Sequence, residues 1–227
     1  MTAHVPTIRP AIITQARPLL MLGVAAGPLY VAAGLAQALT REGFDLTRHS
    51  WSLLANGDLG WVQTANFLVT AVLTIAAAAG LRTALSGGPD AARSRGARWA
   101  PALVAAFGVS LIGAAVFPAD PALGFPAGTP DGPGTVTATG LAHLAVGGIG
   151  FSCMAAACYV IASRFAREGR RGWAIYSRVT GTAFLMSFAG IASGGGAAWS
   201  TLGFVAGMVA VWCWLSLMSL HFARTTA

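Results

Sequence analysis

The chain has 227 residues, of which 56% are hydrophobic and only 9% are charged. Soluble domains carry about 25% charged residues, so this composition excludes an ordinary soluble globular domain. The net charge of +7 would suit nucleic-acid binding. However, the arginines lie in short segments between apolar runs and form no basic stripe, so we expect no nucleic-acid partner. The composition instead predicts that the partner is the lipid bilayer.

Six apolar segments follow one another along the chain, each with about the 20 residues that cross a hydrocarbon core. They cover residues 19–39, 62–81, 99–117, 137–162, 173–193 and 199–220. We expect an all-α integral membrane bundle of six transmembrane helices, a single domain from 19 to 220 between tails at 1–18 and 221–227. The first segment also resembles a signal peptide, but its apolar core exceeds the roughly 7–15 residues typical of one, so we assign it as a span.

The arginines divide unequally between the two ends of the predicted bundle. If the N-terminus lies inside, twelve arginines fall in cytoplasmic segments, and only Arg41 and Arg48 fall in outer loops. Loops that carry arginine are retained in the cytoplasm. This distribution predicts a multi-pass protein of the cell (cytoplasmic) membrane with both termini in the cytoplasm.

Small residues spaced four apart occur on three predicted spans. The pairs are Gly23/Gly27, Gly190/Gly194 and Gly203/Gly207. This spacing allows two helix backbones to approach closely in lipid. It predicts close packing between helices of the same chain, with a homo-oligomer formed through these faces as the alternative.

The predicted spans carry no ionisable residue near the bilayer midplane, which argues against ion-coupled transport. His143 is clearly within a span, about 9 Å from its outer start at roughly 1.5 Å per residue. Polar residues of the outer loops and of the second span are predicted to form an outward-facing pocket with it. The candidate residues are His143, Asp120, Asp45, His49, Asn56, Gln63, Asn66 and Trp61. The alternative is that His143 only hydrogen-bonds a neighbouring helix.

The residue types of this pocket raise two chemical alternatives, a metal site and a hydrolase. His143, His49 and Asp120 are residue types that bind zinc, but they occur at no fixed metal-binding spacing, and we predict no metal and no cofactor. A hydrolase using His143 with Asp120 or Asp45 is an alternative, although no nucleophile-elbow sequence supports it.

The segment Phe44–Asn66 is the most polar and aromatic part of the chain. Residues 45–54 are predicted to form a short interfacial helix, and residues 56–60 a turn that leads into the second span. Its position next to an apolar run predicts that its polar groups lie at the membrane edge.

Several segments together resemble a known protein family. They are Leu54–Gln63 with Asn66–Thr70, Val116–Pro121, Gly140–His143 and Gly172–Ser177. The chain resembles, over about residues 19–220, the bacterial and archaeal membrane family called domain of unknown function 998. The resemblance implies a six-helix membrane bundle without an assigned activity.

The function expected from these features is the binding of a small or lipidic ligand in the outward-facing pocket, without catalysis. The alternatives are a membrane-embedded hydrolase or metalloenzyme at His143, and a structural or assembly protein that binds no ligand.

Overall fold

The computed structural model describes residues 9–86, 95–193 and 196–225, and within them the protein is helical. Six long helices are separated by loops, and a short 3-10 helix lies in the loop between the first two. The helices are α1 (Arg9–Thr40), α2 (Gly60–Leu85), α3 (Arg95–Val116), α4 (Ala138–Arg167), α5 (Arg171–Ser193) and α6 (Ala198–Thr225), and the 3-10 helix is Trp51–Ala55. The all-α six-helix bundle is thereby confirmed.

Some helix bounds differ from the predicted spans. α1 begins at Arg9 and α6 continues to Thr225, because a helix is not obliged to stop where its apolar residues stop. The predicted interfacial helix at residues 45–54 is replaced by a loop followed by the five-residue 3-10 helix. Part of this loop is held by hydrogen bonds to side chains, which compete with helical ones.

Five of the six helices are long and apolar enough to cross a membrane, and α5 is the exception. Arg178 and a series of hydroxyl residues lower the hydropathy of α5. The protein is therefore a multi-pass membrane protein. The assignment of α5 as a sixth span and the cytoplasmic location of the termini remain predictions.

The helices form a closed ring in chain order. Each helix contacts the next one along the chain, and α6 returns to contact α1. Short connections favour antiparallel neighbours in such bundles. The interior is filled by large side chains, among which Trp212, Trp214, Phe107 and Phe184 are almost completely buried.

The predicted glycine pairs differ in whether another helix packs against them. A Cβ added at Gly27 would lie 2.6 Å from the Trp212 carbonyl oxygen, and one at Gly23 would overlap Ser219, so this pair packs α1 against α6 within the chain. Gly207 approaches Ser187 of α5, whereas Gly203 has no neighbour within 4 Å among the residues that the structure describes. Gly194 lies outside the described residues.

Candidate functional site

Two loops meet at one end of the ring, which we call the pocket face. The α1–α2 loop (residues 41–59) is called the first loop, and the α3–α4 loop (residues 117–137) is called the second loop of this face. His49 is the main link between them and is 2% exposed. Its Nδ1 accepts the Asp45 backbone N–H at 2.9 Å, so the ring proton is assigned to Nε2, which donates to the Leu123 carbonyl at 3.0 Å. Both ring nitrogens are therefore occupied in joining the loops.

Asn56 makes a second link between the two loops. Its Nδ2 donates to the Leu53 carbonyl at 3.1 Å and to the Ala119 carbonyl at 3.0 Å. One amide group thus ends the 3-10 helix and holds the start of the second loop. Asn56 contributes to the pocket by fixing its boundary.

Arg41 supports the same junction from the end of α1. Its guanidinium donates to the Leu54 carbonyl at 2.6 Å and to the Asn56 carbonyl at 2.7 Å, and lies 5.0 Å from the centre of the Phe125 ring. Partial burial lowers the pKa of Arg41, and the nearby Asp58 carboxylate opposes that effect. The arginine remains charged, because its ordinary pKa is far above neutrality.

An aromatic group completes the contact between the loops. Phe125 of the second loop is 1% exposed. Its ring lies 5.1 Å from Phe44, edge to face, and 5.5 Å from the His49 ring. Aromatic pairs at this separation add to the burial of apolar area, so the junction has an apolar centre as well as hydrogen bonds.

The two aspartates among the candidates have local roles. The Asp45 carboxylate accepts from the Thr47 hydroxyl and backbone N–H, both at 2.7 Å, and these bonds lower its pKa. Asp120 accepts from the Thr137 hydroxyl at 2.6 Å and backbone N–H at 2.8 Å, immediately before α4. Asp45 stabilises a turn, and Asp120 holds the residue that caps α4.

His143 bonds to the end of a neighbouring helix. Its Nδ1 lies 2.7 Å from the Phe117 carbonyl, which cannot donate, so Nδ1 carries the proton. A carbonyl just past α3 has no partner within that helix, and His143 supplies one. Its Nε2 has no hydrogen-bond partner among the described residues.

Gln63 and Asn66 lie between α1 and α2 and do not line the cavity described below. The Gln37 Nε2 donates to the Gln63 Oε1 at 2.9 Å, and the Asn66 Nδ2 donates to the Tyr30 carbonyl at 3.2 Å. These bonds link two helices inside the membrane region. Trp61, also predicted to belong to the pocket, is 67% exposed at the start of α2.

A cavity of about 510 Å³ lies inside the ring at the pocket face, and all six helices contribute to its wall. This volume is within the roughly 300–1,000 Å³ range of small-molecule sites. α4 contributes residues spaced three or four apart, as expected of one helix face. They are Gly140, His143, Leu144, Gly147 and Phe151.

The deep end of the cavity is apolar. The Phe151 ring lies 5.2 Å from Phe184, 5.1 Å from Phe188 and 5.7 Å from Phe204, so rings from three helices, α4, α5 and α6, fill this part of the interior. Tyr30 stacks on Trp212 at 4.7 Å on the opposite side. Contact with these rings would favour a hydrocarbon group.

The end of the cavity next to the loops carries most of its polar side chains, among apolar ones. Residues with hydroxyl, imidazole and charged groups line it, namely Arg48, Ser50, Ser52, Asp120, Thr135 and His143. Arg48 is 3.7 Å from Asp131, and both side chains are largely exposed, so this ion pair is weak. The cavity reaches the surface beside Val136, which is 67% exposed.

The three candidate metal ligands are not gathered in one place. Among the described residues, no group of three or more His, Cys, Asp or Glu side chains could hold a metal ion. His49 has both nitrogens bonded, as described above. His143 and Asp120 do line the cavity, but as a histidine tied to α3 and a carboxylate tied to Thr137.

The predicted site residues did not include Arg41 and Phe125, which help to join the two loops, or Phe151 of the deep wall of the cavity. Arg41 lies on the side of the bundle that has few arginines, where the positive-inside rule does not account for it. That position could have indicated a structural role. No sequence signal identifies Phe125 or Phe151, since both are ordinary aromatic residues of apolar or turn-rich segments.

One of three comparisons with known proteins gave a match. The family model described as "Protein of unknown function (DUF998)" matches residues 24–221. No curated protein matches the chain, and no solved structure does. Because the match extends from within α1 into α6, the chain belongs to the DUF998 protein family.

Proposed function

We propose that this membrane protein binds a small amphiphilic ligand in the cavity at the pocket face, without transforming it chemically. The observation that carries the proposal is the division of the cavity into a deep aromatic end and a polar end. Such a site matches a molecule with a hydrocarbon part and a polar part, because each part meets groups of its own kind. The unpaired Nε2 of His143 is suited to accept a hydrogen bond from the polar part.

Binding is favoured over catalysis by the partners of the candidate catalytic groups. Asp120 and Asp45 already accept hydrogen bonds that stabilise local structure. The Ser50 and Ser52 hydroxyls lie 3.0 Å from each other, and neither hydroxyl has a histidine partner. Hydrolysis usually requires a nucleophile activated by a neighbouring base, and neither serine of the described cavity lining at the loops is paired with one.

The arginine distribution supports an outward-facing cavity in the cell membrane. The loops of the pocket face contain only Arg41 and Arg48, whereas the other segments contain the remaining arginines. A cysteine introduced by Ala127→Cys, at an exposed position, should react with a membrane-impermeant maleimide added outside intact cells. Labelling only after the cells are opened would contradict this orientation.

Native mass spectrometry of the protein in mild detergent tests the binding proposal. The wild type should retain a small molecule or lipid, and Ala114→Phe should lose it, because Ala114 is 7% exposed and lines the cavity. Val109→Phe is the matched control on the same helix, since Val109 is 58% exposed and is not a lining residue. No retained ligand in the wild type, or equal retention in both folded variants, would contradict the proposal.

A further inference from the structure

α4 consists of two halves that differ in packing. Buried residues are frequent from Gly150 to Phe165, but none occurs from Leu141 to Ile149. α5 shows the complementary pattern, with buried residues up to Phe184 and none from Leu185 to Ser193. The poorly covered halves of both helices are therefore the halves nearest the pocket face.

The contacts between α4 and α5 establish that these halves lie opposite each other. Phe165 of α4 stacks near Trp173, Tyr159 bonds to Thr182, and Phe151 lies against Phe188. In these three pairs the residue number in α5 rises as the residue number in α4 falls, so the two helices are antiparallel. Continuing this register places residues 147–149 of α4 beside the last residues of α5, 191–193, and residues 141–146 past the end of that helix.

The half away from the pocket face is closed. A Cβ added at Gly181 would lie 3.0 Å from the Cys158 Cβ and 3.2 Å from the Ala155 carbonyl oxygen. The Tyr159 hydroxyl and the Thr182 Oγ1 are 2.6 Å apart. Here a small residue brings the two backbones together and a side-chain bond joins them.

The half near the pocket face is open. Within the described residues, a Cβ added at Gly147 would have one neighbour within 4 Å, Phe151 of its own helix at 4.0 Å. One added at Gly148 would lie 3.5 Å from the Phe188 ring of α5, so the open part of the seam begins beyond Gly148 toward the loops. Leu144 lines the cavity although it is 62% exposed. On the α5 side, Ile191 and Ala192 also line the cavity. The side chains along this seam thus face the cavity and the outer surface of the bundle at once.

The other side of α4 is closed at the same depth. A Cβ added at Gly113 of α3 would lie 3.2 Å from the Val146 side chain, and His143 bonds to the Phe117 carbonyl. The opening is therefore a property of the α4–α5 seam, because α4 is held to α3 at this level.

We propose that the α4–α5 seam, bounded by Leu144, Gly147, Phe188, Ile191 and Ala192, is a lateral portal between the cavity and the bilayer. Its walls are apolar, and α4 is long and apolar enough to cross a membrane. With α5 as the predicted sixth span, the material outside the portal is hydrocarbon. The occupant is a single-chain amphiphile whose chain passes through the seam toward Phe151. Its polar head lies among Ser50, Ser52 and the His143 Nε2. This inference rests on the proposed binding function.

The portal predicts that a plug in the seam changes the rate of ligand exchange. The protein in phosphatidylcholine nanodiscs is mixed with deuterated oleate, and native mass spectrometry follows the mass of the bound molecule with time. Gly147→Phe should slow exchange about tenfold, which corresponds to about 1.4 kcal/mol in the barrier. Gly203→Phe is the matched control, since no described residue lies within 4 Å of a Cβ added at Gly203 and this glycine does not line the cavity. It should exchange at the wild-type rate.

The outcomes separate the portal from the binding function. No uptake of deuterated oleate and no retained amphiphile in the wild type would overturn the binding function itself. Uptake that is equally fast in the wild type and in Gly147→Phe would leave binding intact and overturn the portal. If Gly147→Phe does not fold, Ala192→Phe narrows the seam from α5 and must give the same slowing.

Discussion

The α1–α6 seam and the pocket-face half of the α4–α5 seam both present glycine to a neighbouring helix, with opposite results. At Gly27 the space is filled by the Trp212 backbone and Ser216, so the absent side chain lets two helices touch. At Gly147 no atom of the neighbouring helix comes within 4 Å of an added Cβ. Glycine therefore closes a membrane seam only where a partner occupies the space, and elsewhere it leaves a gap.

In the closed seam between α1 and α6, two buried serine hydroxyls lack hydrogen bonds to described residues. Ser216 and Ser219 of α6 have buried oxygens without hydrogen-bond partners. Both oxygens lie against glycines of α1, where the backbone Cα–H groups are weak donors. Close packing thus compensates partly for the absent hydrogen bonds.

The largest expected effect comes from placing the same side chain in both seams. Gly27→Leu should destabilise the protein by about 1–3 kcal/mol or more, because the new side chain overlaps the α6 backbone. Gly147→Leu should cost less than about 0.5 kcal/mol, as at an uncrowded site. Thermal unfolding in detergent, monitored by circular dichroism, compares the two variants. Equal losses of stability would show that the two seams are packed alike.

A second, smaller effect is expected at the loops above the cavity. His49→Ala removes the bonds to Asp45 and Leu123 and should cost about 1–3 kcal/mol, because it leaves a buried carbonyl without its donor. Hydrogen exchange of the first loop should accelerate. Arg48→Gln is the control, since its exposed ion pair is worth at most about 1 kcal/mol. Unchanged exchange in His49→Ala would show that the loops are held by other contacts.

The smallest effect is expected in the closed half of the α4–α5 seam. Tyr159→Phe removes the hydroxyl bonded to Thr182, and such bonds inside membranes are worth about 0.6 kcal/mol on average. The loss should appear in thermal unfolding, and Thr182→Val should add little to it in the double variant. Fully additive losses would mean that the two hydroxyls do not stabilise the seam through each other.

The fold was predictable because it depends on local composition. Long apolar runs separated by polar or proline-rich segments determine the number and order of helices without any knowledge of which helices touch. The helix that departs from this rule, α5, does so because Arg178 and its hydroxyl residues dilute its apolar run. The spacing of Gly23 and Gly27 indicated a close approach, but not that α6 is the partner.

The candidate site was predictable only in part. Polar residues at one end of the bundle could be expected to gather, and His143 and Asp120 do line the cavity. The pairing of His49 with Leu123, 74 positions away, depends on the three-dimensional course of the second loop. Likewise, Gln63 and Asn66 share a helix face, yet that face meets α1 rather than the cavity, because the rotation of α2 is set by packing.

Photolabelling within the bilayer is the most direct test of whether the cavity holds a membrane amphiphile. A single-chain fatty acid with a photoreactive group in mid-chain is incorporated into proteoliposomes and activated, and peptide mass spectrometry locates the adducts. Adducts are expected at interior residues of more than one helix, with Phe151 and Phe204 prominent, and they should be lost in Ala114→Phe. Adducts confined to exterior residues such as Val109 and Ile149, unchanged by that substitution, would contradict binding in the cavity.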